Sequence, residues 1–370
     1  MPKHNRRFFL KNVWQLVVAG LGTALFSFLI FFKKGDDSPL VPAIYAFNRQ
    51  RSFRKKKTPA IAPGFEPVYL KLHQSGELKK RGQALWNRMA ACNLCPRDCG
   101  VNRLEGERGF CRASSQLKIA SYHPHLGEER PLVGKGGSGT IFLSLCNLRC
   151  VFCINYEINH EGMGSKQSID DMAGMMLKLQ DIGCHNINVV TPTHYSPHIL
   201  LALDIAAGKG LRLPLVYNTS GYERLEVLKH LDGVVDIYLP DFKYFDGNMS
   251  DTYSSGAGDY PAITQKALME MNRQVGTAIP PKDGIMQRGL MIRHLVLPNR
   301  VSGFEPMAQW IAAHLPKNTY INIMSQYRPM YKAHNYPKIA RKLTSKEYNE
   351  AVLFAQKAGL TNLDIQGFWF

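Results

Sequence analysis

Six short apolar runs recur along the chain at spacings that leave room for a helix between each pair. They are "TIFLSL" (140–145), "NINVVT" (186–191), "LPLVYNT" (213–219), "VVDIYL" (234–239), "LMIRHLVL" (290–297) and "TYINIM" (319–324). Runs of this length without polar alternation read as strands buried on both faces. Between them lie stretches with a helical period, such as "DDMAGMMLKLQDIG", "SPHILLALDIAAGKG" and "GFEPMAQWIAAHL". Gly183 and Gly210 read as helix stops, and "TSKE" at Thr344–Glu347 as a capping box opening a last helix that runs to about Gly359. Strand–helix units in series predict an α/β fold, a parallel sheet curled into a full or partial barrel.

In such folds the chemistry sits where the strands end. Cys146 follows the first run, "TPTH" (191–194) the second, "NTSG" (218–221) the third, "PDFK" (240–243) the fourth and "SQYRP" (325–329) the sixth. Polar residues delivered by five strands to one rim predict a pocket.

One earlier apolar stretch has a different character. Val13–Phe32 carries no charge and has the length of a bilayer-crossing helix, so residues 13–32 are expected to anchor the chain in a membrane. The basic region before it (1–12) contains "NRRFFLK", which resembles a twin-arginine export signal. A basic, proline-bearing linker (33–62) follows, then a cysteine-rich domain (63–125), the main domain (126–335) and a C-terminal helix and tail (336–370).

Charge adds to this picture only when divided. The formal net charge is +17, but residues 1–60 hold 12 basic and 2 acidic side chains. Most of the excess thus lies beside the apolar segment, where membrane topology accounts for it. No recognition motif accompanies the charge in the main domain, so nucleic acid is not an expected partner.

Seven of the eight cysteines fall between 92 and 153 in two tight groups. Gaps of two and three residues suit one metal centre each rather than a disulfide framework. Cys92, Cys95, Cys99 and Cys111 form a closed set of four, fit for structural zinc or an electron-transfer cluster, and spacing does not separate the two. Cys146, Cys150 and Cys153 are three at C-x3-C-x2-C. Zinc would need a fourth ligand, for which His160 is a candidate. A [4Fe–4S] cluster on three thiolates instead leaves one iron open. Cys184 stands alone and reads as a small buried hydrophobe.

"CNLRCVFCIN", with Phe152 before the last cysteine, resembles the signature of the radical S-adenosylmethionine (SAM) superfamily. The wider set "GFEPVYLKLHQSGEL", "CNLCPRDCGVNRLEGERGFC", "SGTIFLSLCNLRCVFC", "GCHNINVVTPTHYSPHIL", "LPLVYNTSGYE", "VVDIYLPDFKY", "RHLVLPN" and "QYRPMYKAH" is similar to iron–sulfur proteins of the pyruvate formate-lyase activating enzyme-like subfamily over about residues 63–363. Ile154 departs from that pattern, standing where Gln is expected. The resemblance implies a partial (β/α)6 radical SAM barrel and an oxidoreductase that cleaves SAM reductively at the cluster. The 5′-deoxyadenosyl radical so formed would abstract hydrogen from a target of the glycyl-radical protein type.

It also implies roles for individual residues. Cys146, Cys150 and Cys153 would ligate the cluster, and Phe152 would lie along the adenine. Asn186 to Thr191 would meet the methionyl amine, and Asn218 and Thr219 would form a polar motif. Asp241 and Lys243 would match an Asp-x-Lys whose lysine reaches the SAM carboxylate, and Gln326 would replace a histidine. The implied partners are SAM, an electron donor such as flavodoxin or ferredoxin, and a target protein. SAM and low-potential electrons are cytoplasmic supplies, which puts the main domain on that side; "NRRFFLK" keeps export as the alternative. Outside the enzyme class, a membrane-tethered iron–sulfur or zinc module without SAM chemistry fits the same cysteines.

Three further motifs are read as structural. In "GKGGSGT" (134–140) Lys135 comes too early for a phosphate loop, so its glycines shape the entry to the first strand. "HPH" (123–125) and the pair His194/His198, with Pro197 between them, read as rim histidines.

Overall fold

A computed structural model of the protein describes residues 65–278 and 284–366. The described residues all belong to one compact unit, which spans 55–370. The apolar segment 13–32, the twin-arginine-like stretch and the linker therefore lie outside the described residues. Among the described residues, no helix is long and apolar enough to cross a membrane.

Among the described residues, nine strands form one sheet: β1 (Lys118–His125), β2 (Ser138–Leu143), β3 (Ser165–Lys166), β4 (Ile187–Val190), β5 (Leu215–Thr219), β6 (Ile237–Pro240), β7 (Gly289–Leu295), β8 (Tyr320–Met324) and β9 (Leu363–Ile365). Their spatial order is β3-β1-β2-β4-β5-β6-β7-β8-β9. Every pairing from β2 to β9 is parallel, whereas β1 and β3 are antiparallel additions at one edge. The six apolar runs are thus β2 and β4 to β8, each followed by one or more helices on the way to the next.

Alternation along each strand divides the side chains between two faces. Tyr217 and Tyr238 join the large core beneath the helices, while Val216, Ile237 and Leu239 join Leu132, Met291 and Tyr320 in a second apolar cluster. The sheet is strongly curled. Arg293 on β7 reaches across β6 to Asn218 on β5 at 2.6 Å. Glu128, on the turn after β1, accepts from Asn188 on β4 and from Arg293 on β7.

Local chemistry explains the ends of the elements. Gly183 and Gly210 adopt φ of 97° and 98°, as helix stops do. Thr344 and Glu347 form the expected capping box, and Ser168 with Asp171 forms another before the helix Ile169–Ile182. At the entry to β2, a Cβ on Gly136 would stand 1.9 Å from the Gly183 carbonyl oxygen, and one on Gly139 would stand 2.5 Å from that of Asn186. Glycine is needed there for close approach of two backbones.

Candidate active site

The apolar β2 anchors the loop that carries the three cysteines. Leu145 and Arg149 take left-handed backbone angles, φ 75° and 54°, which wind the loop tightly. Its outer turn is tied down from two distant segments. Val151 donates its N–H to the Tyr253 carbonyl at 2.9 Å, and the Val151 carbonyl accepts from the Lys332 N–H at 2.9 Å.

Each of the three sulfurs accepts a hydrogen bond from a different part of the chain. The donors are the Leu148 N–H to Cys146 at 3.3 Å, the Ser254 hydroxyl to Cys150 at 3.0 Å and the Asn159 amide to Cys153 at 3.4 Å. Burial raises all three thiols, Cys150 to about 12 and Cys153 to about 11. His160 is no fourth ligand, since its Nε2 faces the Cys150 carbonyl oxygen at 3.0 Å and its ring packs on Tyr331. Among the described residues, no three His, Cys, Asp or Glu side chains stand close enough to share a single metal ion.

All three cysteines line one cavity of ≈ 310 Å³ at the ends of the parallel strands. Around it stand Phe152, Ile154, Thr191, Asn218, Thr219, Asp241, Lys243 and Gln326. Phe152 packs edge-on to Tyr244 and Tyr327, which fixes its ring as a wall. Ile154 is 67% exposed at the mouth. The Gln326 amide donates to the Met324 sulfur at 3.3 Å.

Asp241 and Lys243 are the charged centre of the wall. Lys243 Nζ lies 2.5 Å from Asp241 Oδ2, and Arg293 Nε lies 2.9 Å from Asp241 Oδ1. Burial works to raise the Asp241 carboxyl, but Arg293 and Lys243 beside it hold it below the usual carboxylate range. Burial likewise opposes the Lys243 charge, and Asp241 and the nearby Cys150 outweigh it. The cavity therefore presents a fixed ammonium next to the cysteines.

Several residues expected at the rim stand elsewhere. Asn186 lies just ahead of β4, at the end away from the cavity. Its amide is taken by the Leu132 carbonyl and the Ser138 hydroxyl, at 2.9 and 2.6 Å. Thr219 touches the cavity, but its hydroxyl donates to the buried Glu223, as does that of Thr193. His194 and His198 are fully buried rather than at the rim, each ring turned to a carbonyl oxygen (Ser144 and Ser115). Pro197 does not interrupt a helix there; it occupies the first turn of Ser196–Gly208, where its missing N–H costs nothing. Of the "HPH" histidines, His125 lines the cavity. Cys184 is wholly buried in the core.

The sequence reading missed a polar floor. Glu128 and Glu129 rise from the turn after β1, with Arg293 Nη1 at 3.3 and 3.8 Å from their carboxylates. Burial pushes the Glu129 carboxyl up to about 8. An arginine inside the apolar run "LMIRHLVL" was the available signal, because a charge on a buried strand demands partners.

It also missed a bolt between the two cysteine segments. Arg97, two residues beyond Cys95, donates to the carbonyls of Asn147 (3.0 Å), Ser254 (2.9 Å) and Gly256 (3.1 Å). Its guanidinium carbon lies 3.7 Å from the centroid of the Phe110 ring, next to Cys111.

The protein named Uncharacterized protein MJ0674, from Methanocaldococcus jannaschii, is 34% identical over 279 residues, which cover 73% of this chain and 75% of that one. The chain belongs to this protein's family. No protein-family model matches the sequence. Among solved structures, Streptococcus suis SuiB aligns with a TM-score of 0.42 and 14% identity over 60% of this chain. SuiB bound to S-adenosylmethionine gives 0.43 and 14%, and methylornithine synthase (PylB) gives 0.39 and 11% over 81% of this chain. The chain spans about half the length of SuiB, 47% and 48% in the two structures.

Proposed function

We propose that this protein is a radical SAM enzyme, an oxidoreductase that uses Cys146, Cys150 and Cys153 to hold a [4Fe–4S] cluster. The observation that carries the reading is the set of three sulfurs, Cys146 and Cys150 buried and Cys153 half-buried. Each accepts a hydrogen bond, they face one cavity, and His160, the candidate fourth ligand, is turned to the Cys150 carbonyl instead. Such a donor set fits a cluster with one open iron better than a closed zinc site. The group when bound supplies reductive cleavage of SAM to a 5′-deoxyadenosyl radical.

The chain's own residues bind and orient. Lys243, held charged by Asp241, is the partner for the SAM carboxylate, and Phe152 offers an apolar face for the adenine. Arg293 keeps Asp241 ionised from behind, so the lysine stays aimed. In this reading the hydrogen donor is a glycyl-radical-type protein, the reductant is a flavodoxin- or ferredoxin-type carrier, and residues 13–32 tether the enzyme with its main domain facing the cytoplasm.

The test is anaerobic reconstitution of the full chain with iron and sulfide, followed by SAM under reduction. An electron paramagnetic signal that SAM shifts, together with formation of 5′-deoxyadenosine, both lost in Cys150→Ala, is the expected result. Iron-loaded protein that neither shifts nor cleaves SAM would leave a membrane-tethered metal or redox module instead.

A further inference from the structure

Arg103 is 1% exposed. Its Nε and Nη2 donate to the Ser114 carbonyl oxygen at 3.3 and 2.8 Å, and its Nη1 donates to that of His194 at 2.9 Å. These partners are neutral, and among the described residues Arg103 has no carboxylate partner. The other interior cations differ, for Arg293 and Lys243 each hold ion pairs with carboxylates. A guanidinium does not give up its proton to escape burial, so it needs an anion nearby.

The Tyr195 ring centroid lies 6.0 Å from the guanidinium carbon, and among the described residues the one neighbour able to carry negative charge is sulfur: Arg103 Nη1 lies 3.9 Å from Cys92 Sγ. Cys92 belongs to the four upstream cysteines, which the backbone gathers into one knot. The Cys92 N–H donates to the Val101 carbonyl, the Gly100 N–H donates back to that of Cys92, and the Phe110 N–H donates to Cys99 Sγ at 3.3 Å. A Cβ on Gly109 would stand 2.7 Å from the Cys99 sulfur, so the chain passes hard against it. Four neutral thiols would leave Arg103 uncompensated. Four thiolates on Zn²⁺, or on a [4Fe–4S]²⁺ cluster, carry about two net negative charges and would satisfy it.

We infer that Cys92, Cys95, Cys99 and Cys111 hold a thiolate-bound metal centre and that Arg103 is its buried counter-ion. Zinc and a cluster both meet this requirement, since each binds four thiolates and carries the negative charge that Arg103 needs. This inference is independent of SAM chemistry.

The experiment removes the other site first. In full-length protein with Cys146, Cys150 and Cys153 all replaced by alanine, metal and sulfide per chain report the upstream centre alone. About four irons with four sulfides, or about one zinc, is the expected content. It should vanish when Cys92→Ala and Cys111→Ala are added. In the same background Arg103→Gln should lose metal to a chelator at least fivefold faster, while Arg103→Lys, which keeps the charge, should stay within twofold of the parent. A triple variant that is folded by circular dichroism but binds neither metal overturns the centre. Equal metal loss in Arg103→Gln and Arg103→Lys, or no loss in either, overturns the counter-ion role. Failure of the SAM assay leaves these outcomes unchanged, so the two readings fail separately.

Discussion

The Ser254 hydroxyl donates to the Cys150 sulfur at 3.0 Å across 104 residues of chain, and the Tyr244 hydroxyl stands 3.0 Å behind it. Hydrogen bonds to ligating sulfur stabilise the more negative, reduced state of a cluster. Ser254→Ala should therefore lower the midpoint potential of the proposed three-cysteine cluster by tens of millivolts, ~60 mV being a tenfold change for a one-electron couple. Redox titration followed by electron paramagnetic resonance measures it. An unchanged potential would assign the hydroxyl to packing.

Arg97 joins the upstream cysteine segment to the cysteine loop and to the Ser254 turn at once. Arg97→Ala should cost about 2 kcal/mol and lower the melting temperature by about 5 °C. Arg97→Lys should recover less than half of the loss, since an ammonium cannot span three carbonyls as a fork does. Thermal melts of the metal-loaded proteins decide this.

Asn186 and Lys243 should separate stability from binding. Asn186→Ala removes a wholly buried amide that bridges Ser138 and Leu132, at a cost of about 2 kcal/mol, with SAM affinity unchanged. Lys243→Met should leave iron content unchanged and weaken SAM binding about tenfold or more. Calorimetric SAM titration beside a denaturant melt distinguishes them, and weakened binding in Asn186→Ala would count against the placement of the site.

Glu223 gives the fold a pH dependence. It is 1% exposed, and burial pushes its carboxyl up to about 7 despite the Thr193 and Thr219 hydroxyls. An unfolded glutamate ionises near pH ~4.3. Between about pH 4.3 and 7 the folded state holds the extra proton, so stability falls as pH rises through that window and levels above it. Glu129 and Asp236 are raised by burial in the same sense. Glu223→Gln should thus reduce the decline by an amount of order 2 kcal/mol without abolishing it. Melting temperatures at pH 5, 6, 7 and 8 test it, and a decline as steep in the variant as in the wild type would remove Glu223 from the account.

The six central strands were legible because a strand buried on both faces must be apolar along its length. The edge strands were not. "KIASYHPH" in β1 is mostly exposed or half-buried, and β3 and β9 have two and three residues, too few for a pattern. That Cys146, Cys150 and Cys153 share one cavity was legible from their spacing, since one loop carries them. Asn186 and Thr191 were assigned to one rim although they flank β4 at opposite ends, about 17 Å apart at strand rise. The Arg293 network escaped because Asp241, Asn218 and Glu128 lie 52, 75 and 165 residues away. No local pattern announces such partners.

The three cysteines sit within eight residues of one another, yet the sulfur environment is completed by Ser254 and the loop's outer turn is clasped by Lys332. A ribosome would release the sulfur ligands long before it released the groups that finish their surroundings. On the proposed reading, iron loading of this loop is therefore a late event in the protein's biogenesis. Premature metal capture would meet a half-built cradle, and the finished site certifies that the chain as far as Lys332, of 370 residues, has already folded.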